Sequence, residues 1–188
     1  MVGGSGAGEL FGPHPGRARS GVFVRKESIQ LRVRPFDDRD ADAVVGLSLR
    51  AWASGFAYLE RVMGSEIFGR LHPDWRKSQR RVVEAVCAAQ ETRVWVAEAG
   101  ASTVGFVTVE LRPEKSIGEI YMLAVDPDYQ GIGIGTALTE FALAWIKDAG
   151  MAVAMVETGG GSAHAAARRV YEKAGYVHLP IARHFKNL

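Results

Sequence analysis

The stretch that most constrains this 188-residue chain runs from Ile120 to Thr136. Ile120 to Val125 is a nearly continuous apolar run, the pattern of a central strand covered on both faces. Asp126-Pro127 stops it. The turn Gln130-Gly131-Ile132-Gly133-Ile134-Gly135-Thr136 follows, and beyond it Leu138, Phe141, Ala142 and Trp145 recur at i, i+3, i+4 and i+7. A buried strand therefore runs through a glycine-dense turn into an amphipathic helix, with Gly150 placed to end that helix at C′.

The other periodicities build around this unit. Ile29, Leu31 and Val33 alternate with polar residues as a half-buried strand, which Pro35 ends. Asp37, Asp38 and Asp40 offer N-caps for a helix with Val44, Leu47 and Ala51 on one stripe. After a Gly64-Ser65 break, a second helical region keeps Trp75, Gln79, Val82, Val83 and Val86 on one side, with Cys87 buried nearby. Val94–Ala97 and Val104–Val109 read as strands, as do Val153–Val156, Tyr176–Leu179 and Ala182–Phe185, and 163–174 reads as a helix closed by Gly175. The expected fold is α/β (α+β), a single mixed and mostly antiparallel central sheet flanked by helices on both faces. The expected domain spans 28–188. Residues 1–27, rich in Gly and poor in large apolar side chains, are expected to form a disordered tail, either a solvated leader or an overlong gene start.

Composition narrows the partners. Hydrophobic residues at 47% and charged residues at 23% suit a globular chain with its own core. Lys+Arg 23 against Asp+Glu 21 is too balanced for a nucleic-acid or anionic-membrane binder. One cysteine excludes an internal disulfide and a multi-cysteine zinc site. No metal is expected. No apolar run approaches the roughly 20 residues of a membrane span. The N-terminus lacks the basic and apolar regions of a secretory signal, and the expected location is the cytoplasm.

The glycine turn narrows the ligand. A helix N-terminus carries unpaired N–H groups and the positive end of the dipole, and glycines let the backbone approach a ligand closely. Together they suit an anion, most naturally a pyrophosphate. A Walker loop needs Lys and Ser/Thr after its last glycine, but Thr136-Ala137 stands here. The dinucleotide fingerprint G-x-G-x-x-G fails as well: its third glycine would fall on Thr136 or on Leu138. What stands here is Gln130-x-x-Gly133-x-Gly135.

That pattern resembles the Q/R-x-x-G-x-G/A pyrophosphate loop of the GNAT acetyltransferase superfamily. The resemblance extends from about Ser28 to the C-terminus. It includes the L-A-V-x-P-x-Y-Q lead-in at Leu123 to Gln130 and the Y-E-K-A-G-Y closing motif at Tyr171 to Tyr176. The resemblance implies a bacterial, acetyl-CoA-dependent N-acetyltransferase acting on a primary amine of a small molecule or peptide by direct attack on the thioester. Acetyl-CoA would lie in a V-shaped gap between Ile120–Val125 and Val153–Val156. Gln130, Gly131, Ile132, Gly133, Ile134, Gly135 and Thr136 would hold its pyrophosphate. The backbone of Leu123, Ala124 and Val125 would pair with the pantetheine and polarise the thioester carbonyl.

Such chemistry needs a base for the amine and an acid for the thiolate. A lysine-like amine is neutral in only about one molecule in 2,500 at pH 7, a penalty of roughly 4–5 kcal/mol. The resemblance implies Glu119 as the base, with Glu110 and Glu157 in reserve, and Tyr171 as the acid. By a strict period of 2, Glu119, Tyr121, Leu123 and Val125 are expected to share one face. His164, where many members carry Asn, is either a CoA contact or a plain residue of the first helical turn. Arg168 and Arg169 either meet the 3′-phosphate or are solvated. The acceptor site is expected among the first two helices, with Trp52, Phe56 and Tyr121 as candidate walls, though Trp52 and Phe56 also suit a core. Cys87 reads as a buried small hydrophobe. Homodimerisation is common in the superfamily. An alternative of another class is a catalytically silent acyl-CoA-binding regulatory module.

Overall fold

The computed structural model describes residues 23–26 and 29–188. Six strands form one sheet in sequence order: β1 (Phe23–Lys26), β2 (Ile29–Pro35), β3 (Arg93–Ala99), β4 (Ser102–Arg112), β5 (Ile117–Val125) and β6 (Val153–Val156). Every neighbouring pair is antiparallel except β5–β6, which is parallel because α4 (Ile134–Asp148) crosses over between them. Between β2 and β3 run α1 (Ala41–Met63), α2 (Ser65–Leu71) and α3 (Trp75–Ala88), and α5 (Ala165–Lys173) follows β6. The mixed sheet with helices on both faces agrees with the sequence expectation.

Each face of the sheet has its own core. On one side Val33, Trp95, Val107, Val109, Ile120 and Val125 pack beneath Ile134, Leu138, Ala142 and Ile146 of α4. On the other, Val96, Phe106 and Ala124 meet Val44, Val45 and Leu47 of α1 and Val83 of α3. Two glycines let α4 lie flush on the sheet. A Cβ on Gly118 would come within 2.5 Å of Ile146, and one on Gly105 within 3.1 Å of Leu138. At Gly118 there is no room for a methyl unless Ile146 and its helix shift, and at Gly105 the Ala124 carbonyl and the tip of Leu138 would have to give by a few tenths of an ångström.

The start of α1 is fixed by charge. Asp37 and Asp40 form a capping box around a short 3-10 turn that leads into the helix. The guanidinium of Arg34 donates to both carboxylate oxygens of Asp40, at 2.6 and 2.8 Å, and to Glu98 at 2.7 Å. It thereby ties β2, β3 and the helix start together. Asp40 is buried, and the Arg34 hydrogen bonds hold its carboxyl below the usual value of 3.8. The stabilisation this gives is complete above the unfolded-state value and is lost as pH falls through the lower folded value. Arg34→Met leaves the buried carboxylate uncompensated and is expected to cost about 3 kcal/mol, read as a lowered midpoint in urea.

Two boundaries differ from the sequence reading. Of the expected tail, residues 1–22 and 27 lie outside the described residues, whereas Phe23–Lys26 pairs with β2 from Phe23↔Arg32 to Lys26↔Ile29. The terminal strands expected at Tyr176–Leu179 and Ala182–Phe185 are absent: the backbone from 176 to 188 is irregular. Pro180 breaks the run of donors a ladder needs, and Val177, at 95% exposure, has no sheet to cover it. No helix among the described residues is long and apolar enough to cross a membrane.

Candidate active site

The site forms where β5 and β6 part. Their ladder runs only from Ile117↔Val153 to Ile120↔Val156. Beyond it, Tyr121 to Val125 remain paired with β4 on one edge, and no described strand lies along the other. The two strands thus open a gap whose floor is the backbone of Tyr121 to Val125. This gap includes Leu123, Ala124 and Val125, the expected pantetheine-side residues.

A bulge shapes that floor. Val109 pairs with Ile120, but Thr108 pairs with Met122, so Tyr121 is the extra residue. The Oγ1 of Thr108 accepts the N–H of Met122 at 2.9 Å and supports the kink. The expectation that Glu119, Tyr121, Leu123 and Val125 share a face is corrected by this bulge. Ile120, Leu123 and Val125 belong to the α4-side core, whereas Met122 and Ala124 belong to the α1 side. Glu119, adjacent to Ile120 and directly opposite Glu110, lies on the α1 side. Tyr121 is half exposed at the kink.

Past β5 the chain turns through Asp126. This buried carboxylate accepts the N–H of Asp128 and a hydrogen bond from Arg50 of α1, which anchors the turn to the first helix. Gln130 Nε2 donates to the Val125 carbonyl at 3.0 Å, so its side chain braces the loop against the strand end. Gly131 and Gly133 hold φ of +79° and +94°, a region that a Cβ would strain, and Gly133 is the N-cap of α4. The N–H groups from Gly131 to Thr136 make no hydrogen bond to another described residue. They stand at the positive end of a 15-residue helix, with open space around both left-handed glycines. This cradle fits a pyrophosphate.

Tyr171 and Glu119 are the two buried ionisable side chains that the sequence offered as acid and base. Tyr171, on α5, is 9% exposed, its ring edge-on to Tyr176 with centroids 5.8 Å apart. Its hydroxyl makes no hydrogen bond to a described residue, and burial raises its pKa above the usual 10.0. Glu119 is 6% exposed, and Arg112 donates to its Oε2. Burial pushes its carboxyl above the usual carboxylate range, Arg112 opposes that shift, and Glu110 and Glu157 add to it.

The remaining candidates are spread more widely. His164 sits at the start of α5, with its ring 3.5 Å from where a Cβ on Gly55 of α1 would lie and 2.6 Å from where one on Gly159 would lie. Burial lowers its pKa. Arg168 donates to the carbonyls of Gly159 and Gly161, both at 2.7 Å, and so holds the T-G-G-G loop after β6. Trp52 is edge-on to Phe106 at 6.1 Å, on the margin of the α1-side core. Phe56 stacks on Trp75 of α3 at 4.2 Å and is held between helices. Cys87 is half-buried, its thiol pushed up to about 11 by burial, and so is a poor nucleophile at neutral pH. No group of three or more His, Cys, Asp or Glu among the described residues could hold a metal ion. Sequence reading missed Arg112, Arg50 and Thr108. Only register could have shown them, because each acts across strands or between a helix and a loop.

Comparisons with known proteins agree with this architecture. Residues 90–178 match the model of the acetyltransferase (GNAT) domain. The chain is 28% identical over 173 residues to a mycothiol acetyltransferase of Thermomonospora curvata, covering 87% of this chain and 56% of that protein. It is 30% identical over 126 residues to the Cellulomonas flavigena mycothiol acetyltransferase, covering 58% of this chain and 34% of that one. The chain thus spans about half the length, or less, of these curated relatives. Its fold is similar to that of an aminoglycoside N-acetyltransferase in complex with CoA, with TM-score 0.59, 13% identity, and coverage of 87% of this chain and 99% of that one. It is also similar to the PaiA N-acetyltransferase of Thermoplasma acidophilum in complex with coenzyme A, with TM-score 0.57, 16% identity, and coverage of 77% and 87%. The match to the acetyltransferase (GNAT) domain covers β3 through α5, the part of the chain that builds the gap and the cradle.

Proposed function

We propose that this protein is an N-acetyltransferase that moves an acetyl group from acetyl-CoA to a primary amine of a small molecule or peptide. The observation that carries the reading is the row of unpartnered N–H groups from Gly131 to Thr136 at the mouth of the β5–β6 gap. Names borne by relatives and structural neighbours, for mycothiol, aminoglycosides and coenzyme A, support it. The bacterial sources of the curated relatives support a bacterial enzyme, and the cytoplasm is its proposed location.

Acetyl-CoA supplies an electrophilic thioester carbonyl and a thiol leaving group. The amides of Gly131 to Thr136 bind the diphosphate, and the open edge of Leu123 to Val125 aligns the pantetheine. Glu119, buried and held at Oε2, takes the proton that the attacking amine loses. Tyr171, whose hydroxyl is otherwise uncommitted, gives its proton to the departing sulfur. Direct transfer needs no nucleophile on the enzyme, in keeping with the raised thiol of Cys87. The acceptor enters beside α1, near Tyr121 and Trp52.

The test is an amine panel with acetyl-CoA, following release of free thiol. Turnover supports the reading; coenzyme A binding without transfer to any amine favours a silent acyl-CoA-binding module. Glu119→Gln is expected to lower turnover at neutral pH about 10²-fold and to move the pH–rate profile upward, since the amine must then lose its proton unaided. An unchanged profile transfers the role to Glu110, Glu157 or water. Size-exclusion chromatography with light scattering tests homodimerisation, the association proposed from the family.

A further inference from the structure

We propose that Arg112 is a positioning residue for the base: its hold on one carboxylate oxygen of Glu119 keeps that buried group ionised and leaves the other oxygen to take the proton. The inference rests on the reading of Glu119 as base and adds a residue to it.

The β4–β5 register poses the problem. Glu110 and Glu119 are directly opposite in the ladder, and like charges so placed repel. Glu157, just beyond β6, adds a third carboxylate whose charge also raises the proton affinity of Glu119. Only 6% of Glu119 is exposed, so water does little to offset the repulsion. Left alone, such a carboxyl would hold its proton and fail as a base.

Arg112 is the cation that answers these charges. It lies two residues beyond Glu110 on β4, hence on the same face, and its register partner is Ile117, which sets Glu119 on the diagonal. Its Nη2 donates to Oε2 of Glu119, while Oε1 makes no hydrogen bond to a described residue. Arg112 is also the last residue of β4, and Pro113 begins a 3-10 turn directly after it, which fixes where its side chain departs. Thr92 Oγ1 donates to Glu110, at 3.4 Å, and draws that competing carboxylate toward β3. A guanidinium does not give up its proton in this range, so the proton from the amine goes to Oε1 and not to the cation.

The experiment compares wild type, Arg112→Met, Arg112→Lys, Glu119→Gln and the Arg112→Met/Glu119→Gln double variant. The first readout is carboxyl carbon NMR of glutamate-labelled protein across pH 4–9, with the Glu119 signal assigned by its loss in Glu119→Gln. The second is the pH profile of kcat with acetyl-CoA and neamine or an alanyl peptide as acceptor. Arg112→Met is expected to move the Glu119 titration and the acidic limb upward together by about one pH unit or more. Acetyl-CoA affinity should stay within about twofold, because Arg112 is remote in sequence and register from the cradle. Arg112→Lys is expected to restore part of the shift and, should Arg112→Met fold poorly, gives the same test in a milder form. The double variant is expected to match Glu119→Gln. An unmoved Glu119 titration in both Arg112 variants overturns the proposal. A titration that moves without any change in the kcat profile overturns the catalytic part of it. A wild-type profile in Glu119→Gln instead overturns the assignment of the base itself, a distinct failure seen without touching Arg112.

Discussion

Gly135→Trp is expected to abolish acetyl-CoA binding while leaving the fold intact. Gly135 lies in the first turn of α4, and its N–H is one of the open cradle. A Cβ built there meets only Val125 Cγ2, at 3.8 Å, which is ordinary contact. Its φ is not positive, so a side chain introduces no backbone strain. With only that one neighbour within 4 Å, an indole at this position has room to crowd the cradle. We expect affinity to fall at least about 100-fold, the equivalent of roughly 3 kcal/mol, with the melting temperature changed by only about 2 °C. Calorimetric titration with coenzyme A checks this, and retained affinity with a folded protein moves the cosubstrate site elsewhere.

Tyr171→Phe is expected to lower kcat about 10²-fold with little change in acetyl-CoA affinity. The substitution removes only a hydroxyl that bonds to no described residue. The ring keeps its burial and its edge contact with Tyr176. A loss of rate then reports the missing proton and not a disturbed core. Because burial raises the phenol above 10.0, Tyr171 stays protonated through the neutral and mildly alkaline range. Wild type should therefore show no loss of rate from this group below that value. Equal kcat in mutant and wild type, measured with any acceptor that turns over, removes Tyr171 from the mechanism.

The sheet and its helices were legible in the sequence because their signals are local. Alternation at Ile29–Val33, the apolar run of β5 and the helical spacing of Leu138, Phe141, Ala142 and Trp145 each reflect burial within one element. The glycine turn was legible for the same reason: its trio sits within seven residues and opens a helix. What escaped depends on pairing. The bulge at Tyr121 is a property of two strands, and a strict period of 2 carried through it puts Glu119 on the wrong face. The link from Arg112 to Glu119 and that from Arg50 to Asp126 join residues whose proximity exists only after register is set. The terminal strands failed differently: apolar alternation at 177–181 was present, but alternation alone makes no ladder without a neighbouring strand to bond.

The two glycines beneath α4 carry a further meaning. The helix whose amides we propose to bind a diphosphate rests on a seat whose height is set by carbons that are missing from β4 and β5. Under that proposal, affinity for the acyl donor would be adjustable from underneath. A single methyl on the sheet would act as a shim, tilting the whole rod and re-aiming its tip, and tuning of this kind would leave no trace among the residues that touch the guest.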